Sequence, residues 1–131
     1  MSQTVSSSIL RIIDANLNRL REGLRVLEDI RRYGFSDREG ASNLKKLRHQ
    51  ARLEEYSPLL SSRDIENDVL KVTTKSESQR VDLSSVLLAN FKRTQESARV
   101  LEEILKLSNP NDAERFKEIR YALYALESDL I

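Results

Sequence analysis

Two stretches of this chain repeat the same polar residues at the same helical spacing. Residues 14–33, DANLNRLREGLRVLEDIRRY, align without a gap at an offset of 74 with residues 88–107, LANFKRTQESARVLEEILKL. A duplicated core requires only its apolar residues to match, so a repeated polar set indicates a site. Amide and guanidinium groups together suit a ligand that carries hydrogen-bond donors and an anion. The repeated polar pairs include Asn16/Asn90, Arg19/Arg93, Glu22/Glu96 and Glu28/Glu102.

The repeated asparagines lie where a core residue is expected. At about 100° per residue, Asn16 falls inside the apolar face of its helix and Arg19 falls at the edge of that face. Asn90 and Arg93 take the equivalent positions in the second stretch. A buried amide without partners costs about 1–3 kcal/mol. The two asparagines could therefore pair across a pseudo-twofold axis and fix the helix register, or they could bind a ligand.

A glycine on the same helical face raises a similar pair of alternatives. Gly23 lies two turns from Asn16, and Ser97 occupies the matching position of the repeat. Glycine inside a helix costs roughly 1 kcal/mol relative to alanine, which suggests that a small residue is needed. Such a residue either lets another helix approach closely or leaves room for a small ligand.

Composition restricts the classes of protein that fit. The 131 residues predict one domain, with the repeat covering about 7–56 and 82–131. A net charge of +1, from 22 basic and 21 acidic residues, argues against nucleic acid or an anionic membrane as partner. The absence of cysteine excludes thiolate chemistry, and a single histidine makes a histidine-based metal site untenable. No apolar run has the length of a membrane span, so we expect a cytoplasmic protein.

Hydrophobic periodicity and capping signals predict four helices. The first ends near Gly34, and Ser36 to Glu39 has the form of a capping box that opens the second. Asp82 is suited to cap the third helix, and Asn109-Pro110 to begin the fourth. A short β-like run covers 69–74. The predicted helices span about 7–33, 36–56, 83–107 and 110–130.

The repeat extends into the second helix of each pair. LKKLRH at 44–49 resembles FKEIRY at 116–121, which matches Arg48 with Arg120. We therefore expect an all-α fold, a pseudo-symmetric four-helix bundle built from two tandem αα-hairpins. One long connection, about 57–80, joins the halves, and connections of that length are often functional.

Charged residues in this connection could bind phosphates and a metal. Asp64 and Asp68 could hold Mg²⁺, which needs only one or two carboxylates together with phosphate oxygens. Arg63 and Arg80 could bind phosphates. The alternative is that these charges are simply solvated, as they are in most loops. The sequence contains no P-loop, dinucleotide-binding, hydrolase or zinc-protease motif.

Several segments resemble one family over nearly the whole chain. The strings 11–29, 59–69, 77–82, 89–103 and 116–127, which include DANLNRLREGLRVLE and ANFKRTQESARVLEE, are similar to the small hydroxymethylpyrimidine phosphate kinases of thiamine biosynthesis. The resemblance implies transfer of a phosphoryl group from ATP to hydroxymethylpyrimidine phosphate, with Mg²⁺. It also implies a pyrimidine phosphate substrate and possible coupling to a thiamine phosphate synthase.

This implied activity assigns roles to the candidate residues. The catalytic residues would be Arg19, Arg93 and Arg63. Arg19 and Arg93 would bind phosphates, with Arg63 and Arg80 closing over them. Asn16 or Asn90 would bond the aminopyrimidine edge or a phosphate oxygen. The metal ligands would be Asp64 and Asp68. The remaining predicted substrate- or nucleotide-binding residues are Gly23, Arg48 and Arg120.

Two other functions are compatible with the same sequence. A non-catalytic interaction or regulatory module could partner a thiamine phosphate synthase while keeping the polar site. A purely structural bundle that forms a homodimer would use the asparagines for packing alone.

Overall fold

A computed structural model describes residues 6–53, 63, 65–71 and 80–131. The described residues form four α-helices, one π-helical turn and no strand, which confirms the predicted all-α four-helix bundle. Val69 and Leu70 lie in a turn and not in the predicted β-like run, whose residues 72–74 are outside the described part. The helices are α1 (Ser7–Asp29), α2 (Arg38–Gln50), α3 (Leu83–Leu105) and α4 (Pro110–Leu130).

The second pair of helices begins where the capping residues predict. Asp82 accepts a hydrogen bond from the Ser85 N–H, and the Ser85 hydroxyl accepts one from the Asp82 N–H, which completes a capping box. Asn109 accepts a bond from the Asp112 N–H, and Pro110 occupies the first position of α4. Both predicted starts are confirmed.

The predicted junction between α1 and α2 is wrong in detail. The α-helical hydrogen bonding ends at Asp29, and a π-helical turn covers Ile30–Gly34. Asp37, and not Ser36, caps α2 by accepting a bond from the Gly40 N–H at 3.0 Å. Ser36 has a φ of 50°, a left-handed conformation that an N-cap residue does not adopt. Helix α2 ends at Gln50, short of the predicted residue 56.

Helices α1 and α3 form the centre of the bundle and run antiparallel. Gly23, in the middle of α1, lies against Thr94 in the middle of α3. Gly34, just beyond α1, lies against Leu83 at the start of α3. Helix α2 packs on α1 and helix α4 packs on α3, and the two outer helices also touch. Each hairpin thus contributes one inner and one outer helix, as the repeat predicts.

The core is aliphatic with two phenylalanines. Leu17, Leu20, Leu24 and Leu27 repeat along α1 at three- and four-residue steps and are fully buried. Phe91 on α3 and Phe116 on α4 are fully buried members of the same core cluster. None of the described helices combines the length and apolarity that crossing a membrane requires.

Candidate functional site

The two repeated asparagines make the same local hydrogen bond. The Nδ2 of Asn16 donates to the carbonyl of Ile12 at 2.9 Å, and the Nδ2 of Asn90 donates to the carbonyl of Val86 at 2.9 Å. Asn16 is only 6% exposed, whereas Asn90 is half-buried. Neither Oδ1 accepts a hydrogen bond within the described part of the chain. Each helix therefore presents an amide oxygen that is still able to accept.

The alternative that the asparagines pair with each other is wrong. The Oδ1 of Asn90 lies 3.9 Å from the point that a Cβ on Gly23 would occupy. Gly23 and Asn16 are seven residues apart on α1, which corresponds to roughly 10 Å along the helix axis. The two amides are therefore at different levels of the bundle, and each is anchored to its own helix.

Gly23 serves the close approach of α1 and α3. A Cβ at this position would lie 2.6 Å from Cγ2 of Thr94, well inside van der Waals contact. Thr94 is fully buried, and its hydroxyl donates to the carbonyls of Asn90 and Phe91, so the methyl group is held in place. The space beside Gly23 is filled by protein, which supports helix crossing over ligand binding as its role.

Asn16 lines a cleft of about 720 Å³ on the outer side of α1. We call it the α1 cleft. It is lined by residues of α1, by Arg63 and by described residues of the segment 65–69. The cleft contains four of the predicted site residues, Asn16, Arg19, Arg63 and Asp68. The other lining residues are Ser8, Arg11, Ile12, Asp14, Ala15, Asn18, Glu22, Ile65, Asn67 and Val69.

Asp14, which the sequence does not single out as a site residue, holds the long connection at the cleft. Arg63 donates through Nε and Nη2 to the two separate oxygens of Asp14, both at 2.8 Å. Asp14 is buried, and a bidentate pair of this kind is both strong and orienting. The available signal was a break in the repeat, because the position equivalent to Asp14 on α3 is Leu88. Helix α3 therefore has no counterpart to this attachment.

The charges in the α1 cleft are mixed. The carboxylate of Asp14 is compensated by Arg63. Arg11 and Arg19 are exposed and form no ion pair within the described residues. The other acidic groups are Glu22 and Asp68, and the latter accepts a bond from the Leu70 N–H at 3.0 Å. Two arginines near a buried amide acceptor suit a ligand with both a phosphate and an N–H donor.

The structure describes one of the two predicted magnesium ligands. Asp64 lies outside the described residues, and Asp68 is exposed at the rim of the cleft. The described ranges contain no group of three or more histidine, cysteine, aspartate or glutamate residues that could hold a metal ion. Mg²⁺ can bind through fewer protein ligands, so its binding stays a prediction.

Arg48 and Arg120 occupy equivalent positions in two buried ion pairs. Arg48 donates to Glu28 at 2.8 Å, and Arg120 donates twice to Glu102 at 3.0 and 2.8 Å. A hydrogen bond to Tyr124, together with Glu102, raises the pKa of Arg120 above its ordinary value. Both arginines thus neutralise a buried carboxylate of the repeat. Neither lines the α1 cleft, and their predicted contact with a ligand stays untested.

The remaining predicted residues lie on or near α3. Arg93 is exposed on that helix, and Arg80 is exposed just before it. The structure does not place either of them among the lining residues of the α1 cleft. The candidate site is therefore one-sided, since it draws on the first half of the repeat and on the connection.

A second cavity, of about 830 Å³, lies at the end of α2. It is lined by His49, Arg52 and Arg115 among others, and it contains none of the predicted site residues. Arg115 there donates to the carbonyl of Arg52 and pairs with Asp112, so its guanidinium already has protein partners. The α1 cleft is the better candidate, because it combines the Asn16 Oδ1, which accepts no hydrogen bond from the described residues, with Arg11 and Arg19, which form no ion pair among them.

Comparisons with known proteins give one family and one enzyme name. The model of the ThiD2 family matches residues 11–129. The thiamine-phosphate synthase of Nostoc punctiforme is 41% identical over 130 residues, which are 98% of this chain and 37% of that protein. The synthase of Synechocystis sp. is 42% identical over 132 residues, 100% of this chain and 38% of that protein. No solved structure matches.

These comparisons confirm the link to thiamine biosynthesis and correct the predicted activity. A third relative, from Rhodopirellula baltica, is 41% identical over 135 residues and carries the same synthase name. These relatives, which match nearly the whole chain, are named as a synthase and not as a kinase. The prediction of phosphoryl transfer from ATP is therefore wrong. The chain spans less than two fifths of the length of these curated relatives.

Proposed function

Since this chain belongs to the ThiD2 family, we propose that it is a ligand-binding helical domain of thiamine-phosphate synthesis. In this proposal the α1 cleft binds a pyrimidine phosphate, and the domain acts together with a thiamine-phosphate synthase. The relatives support such a partnership, because each is a longer protein that carries the synthase name and matches this chain over 37% or 38% of its length.

The observation that carries the proposal is the buried amide of Asn16. Its Nδ2 is held by the Ile12 carbonyl, which leaves Oδ1 as a fixed acceptor on the cleft wall. The exocyclic amino group of an aminopyrimidine is a donor of matching character. Because the amide is already oriented by its own helix, it loses little freedom when the ligand binds.

The phosphate of the ligand would bind the arginines of the same wall. Arg19 lies three residues after Asn16, on the neighbouring turn of α1. Arg11, which precedes Asn16 on the same helix, also lines the cleft. Arg63 lines the same cleft, and Asp14 fixes its direction. Such a site should discriminate against the unphosphorylated alcohol, because the arginines would then lose their anionic partner.

Calorimetric titration of the full chain with hydroxymethylpyrimidine phosphate tests the proposal. We expect saturable binding by the wild type and an affinity at least about tenfold lower for Asn16→Ala, equivalent to about 1.4 kcal/mol. Asn90→Ala is the matched control, since it removes the same local bond outside the cleft. We expect it to change affinity less than about twofold.

Two results would overturn the proposal. One is the absence of binding to a folded wild-type chain at millimolar ligand. The other is an equal loss of affinity in Asn16→Ala and Asn90→Ala, which would mean that the amides act through the fold and not through the cleft. Circular dichroism of each variant shows whether it is folded.

We propose separately that the same cleft binds ATP and Mg²⁺. Asp68 is the predicted metal ligand that the structure describes, and its backbone contact with Leu70 leaves one carboxylate oxygen for a cation. Titration with ATP in the presence and absence of MgCl₂ tests both. Asp68→Asn should abolish any dependence of binding on Mg²⁺, and an unchanged dependence would refute this ligand.

A further inference from the structure

A π-helical turn follows α1, and its residues do not line the α1 cleft. The π-helical turn Ile30–Gly34 is followed by Phe35 and by Ser36, whose φ is 50°. π-Helical turns are rare and are frequently found at functional sites. This turn leaves two aromatic side chains in solvent, since Tyr33 is 70% exposed and Phe35 is 45% exposed.

A second segment adds aliphatic residues to the same surface. The Cδ1 of Leu83 lies 3.0 Å from the point that a Cβ on Gly34 would occupy, so the start of α3 packs directly on the turn. Leu83 remains half exposed, and Val81 is 92% exposed. We call these four residues, Tyr33, Phe35, Val81 and Leu83, the π-turn patch. Leu83 touches the turn between Tyr33 and Phe35, and exposed apolar residues grouped in this way mark an interaction site more often than scattered ones do.

The border of the π-turn patch carries both signs of charge, from two arginines, from Asp37 and from the exposed Asp82, which lies between Val81 and Leu83. The Cζ of Arg31 lies 4.6 Å from the ring centroid of Phe35, and the Cζ of Arg32 lies 4.9 Å from that of Tyr33. Arg31 is also paired with Asp37 at 2.9 Å, whereas Arg32 forms no ion pair within the described residues. Tyrosine, phenylalanine and arginine are the residues in which protein interfaces are enriched.

The relatives decide between a second copy and a different protein, because the border of the patch carries both signs of charge. In each relative the region that matches this chain is part of a longer polypeptide. The occupant should therefore be a different polypeptide, one that corresponds to the remainder of the relatives.

We infer that the π-turn patch is the docking surface for the synthase polypeptide, an inference that rests on the proposed partnership in thiamine-phosphate synthesis. In the relatives, the region that matches this chain is 37% and 38% of the protein and is joined to a longer remainder. Domains joined in this way commonly bury about 600–1,500 Å² against each other. The π-turn patch is an uncovered apolar surface of the described bundle that lies apart from the α1 cleft.

Sedimentation velocity of the full chain mixed with a thiamine-phosphate synthase from the same organism tests the inference. We expect a complex whose affinity falls at least about tenfold in the double variant Tyr33→Ser/Val81→Ser, because exposed tyrosines at interface centres contribute strongly. The matched control is Tyr121→Ser/Leu107→Ser, which removes an exposed tyrosine and an exposed aliphatic residue from elsewhere on the bundle. This control should bind as the wild type does.

Three outcomes would overturn the inference: no complex with the wild type, equal binding by the patch variant, or a dimer of the chain alone that the patch variant dissolves. The ligand titration separates this inference from the proposed function. The patch variant should bind pyrimidine phosphate normally, and Asn16→Ala should dock normally. If docking succeeds while ligand binding fails in the wild type, the docking surface stands and the cleft assignment falls.

Discussion

Asp14 and Arg63 are 49 residues apart in sequence and meet in a bidentate ion pair, with both donor–acceptor distances at 2.8 Å. The pair joins the long connection to α1, the inner helix of the first hairpin. Because α3 has Leu88 at the equivalent position, the connection has this attachment on one half of the repeat alone. A duplicated helix pair thereby becomes an asymmetric site, with a cleft on α1.

We predict that Asp14→Asn weakens pyrimidine phosphate binding about tenfold, because the neutral amide no longer orients Arg63 with two charge-assisted bonds. A double-mutant cycle with Arg63→Gln should give a coupling energy on the order of 1 kcal/mol in urea unfolding. As the control, Leu88→Asn places an asparagine at the equivalent position of α3 and should leave the affinity unchanged. Wild-type affinity in Asp14→Asn would show that the pair serves the fold alone.

The sequence predicts the architecture well because the architecture is local and repeated. Periodic leucines on α1 and the caps at Asp82 and Asn109 depend on residues within one or two turns of each other, and all are confirmed. The π-helical turn is not predicted, since nothing in the periodicity distinguishes its hydrogen bonding from that of an α-helix. Ser36 adopts a left-handed conformation that sequence preference assigns to glycine or asparagine.

The site is predicted less completely than the fold. A repeated polar residue shows that a partner is required, but not whether that partner is a ligand or another side chain. Asn16 and Arg19 do line a cleft, whereas Arg48 and Arg120 bond the buried glutamates of the same repeat. The ion pair of Asp14 depends on a contact across the bundle surface, which periodicity cannot show.

The two buried ion pairs should differ in their contribution to stability. Glu102 and Arg120 are both about 8% exposed, and removal of one partner from such a pair typically costs about 3–5 kcal/mol. Arg48 is twice as exposed and makes a single bond to Glu28, so Arg48→Ala should cost only about 1–3 kcal/mol. Urea unfolding of Arg120→Ala and Arg48→Ala measures both free energies. Equal costs would contradict this ranking.

The same variants test the predicted ligand role of these arginines. Replacing Glu102 and Arg120 together by methionine removes both charges and avoids an unpaired one, so the fold should be kept. If this double variant binds pyrimidine phosphate as the wild type does, Arg120 is structural. A loss of binding in a stable double variant would instead support its place among the ligand residues.

Gly23→Ala should destabilise the bundle although alanine favours helix. The gain in helix propensity is about 1 kcal/mol, and the contact of the new methyl group with Thr94 costs about 1–3 kcal/mol. Thr94 cannot turn away without breaking its bonds to the carbonyls of Asn90 and Phe91. Adding Thr94→Ser removes the obstructing Cγ2 and should restore much of the loss in thermal unfolding. A stabilised single variant would show that α1 and α3 separate freely at this point.

Asp37 should make the stability of α2 depend on acid pH. The hydrogen bond from the Gly40 N–H, with help from Arg31, holds the pKa of Asp37 below its ordinary value of 3.8. Since the unfolded chain then binds the proton more tightly than the folded chain, stability rises with pH through this range. The contribution is fully present above the unfolded pKa of 3.8 and is lost as the pH falls through the lower folded pKa. At neutral pH, Asp37→Ala should cost about 1 kcal/mol, the usual loss for an N-cap.

Unfolding of the wild type, Asp37→Ala and Asp37→Asn between neutral and strongly acidic pH checks this prediction. The difference between wild type and Asp37→Ala should shrink as the carboxylate of Asp37 becomes protonated. Asp37→Asn keeps an acceptor for the Gly40 N–H but cannot titrate. Its free energy of unfolding should therefore exceed that of Asp37→Ala by the same amount at every pH. If the wild type and Asp37→Asn respond to acid identically, the charge of Asp37 contributes nothing and the cap acts through its hydrogen bond alone.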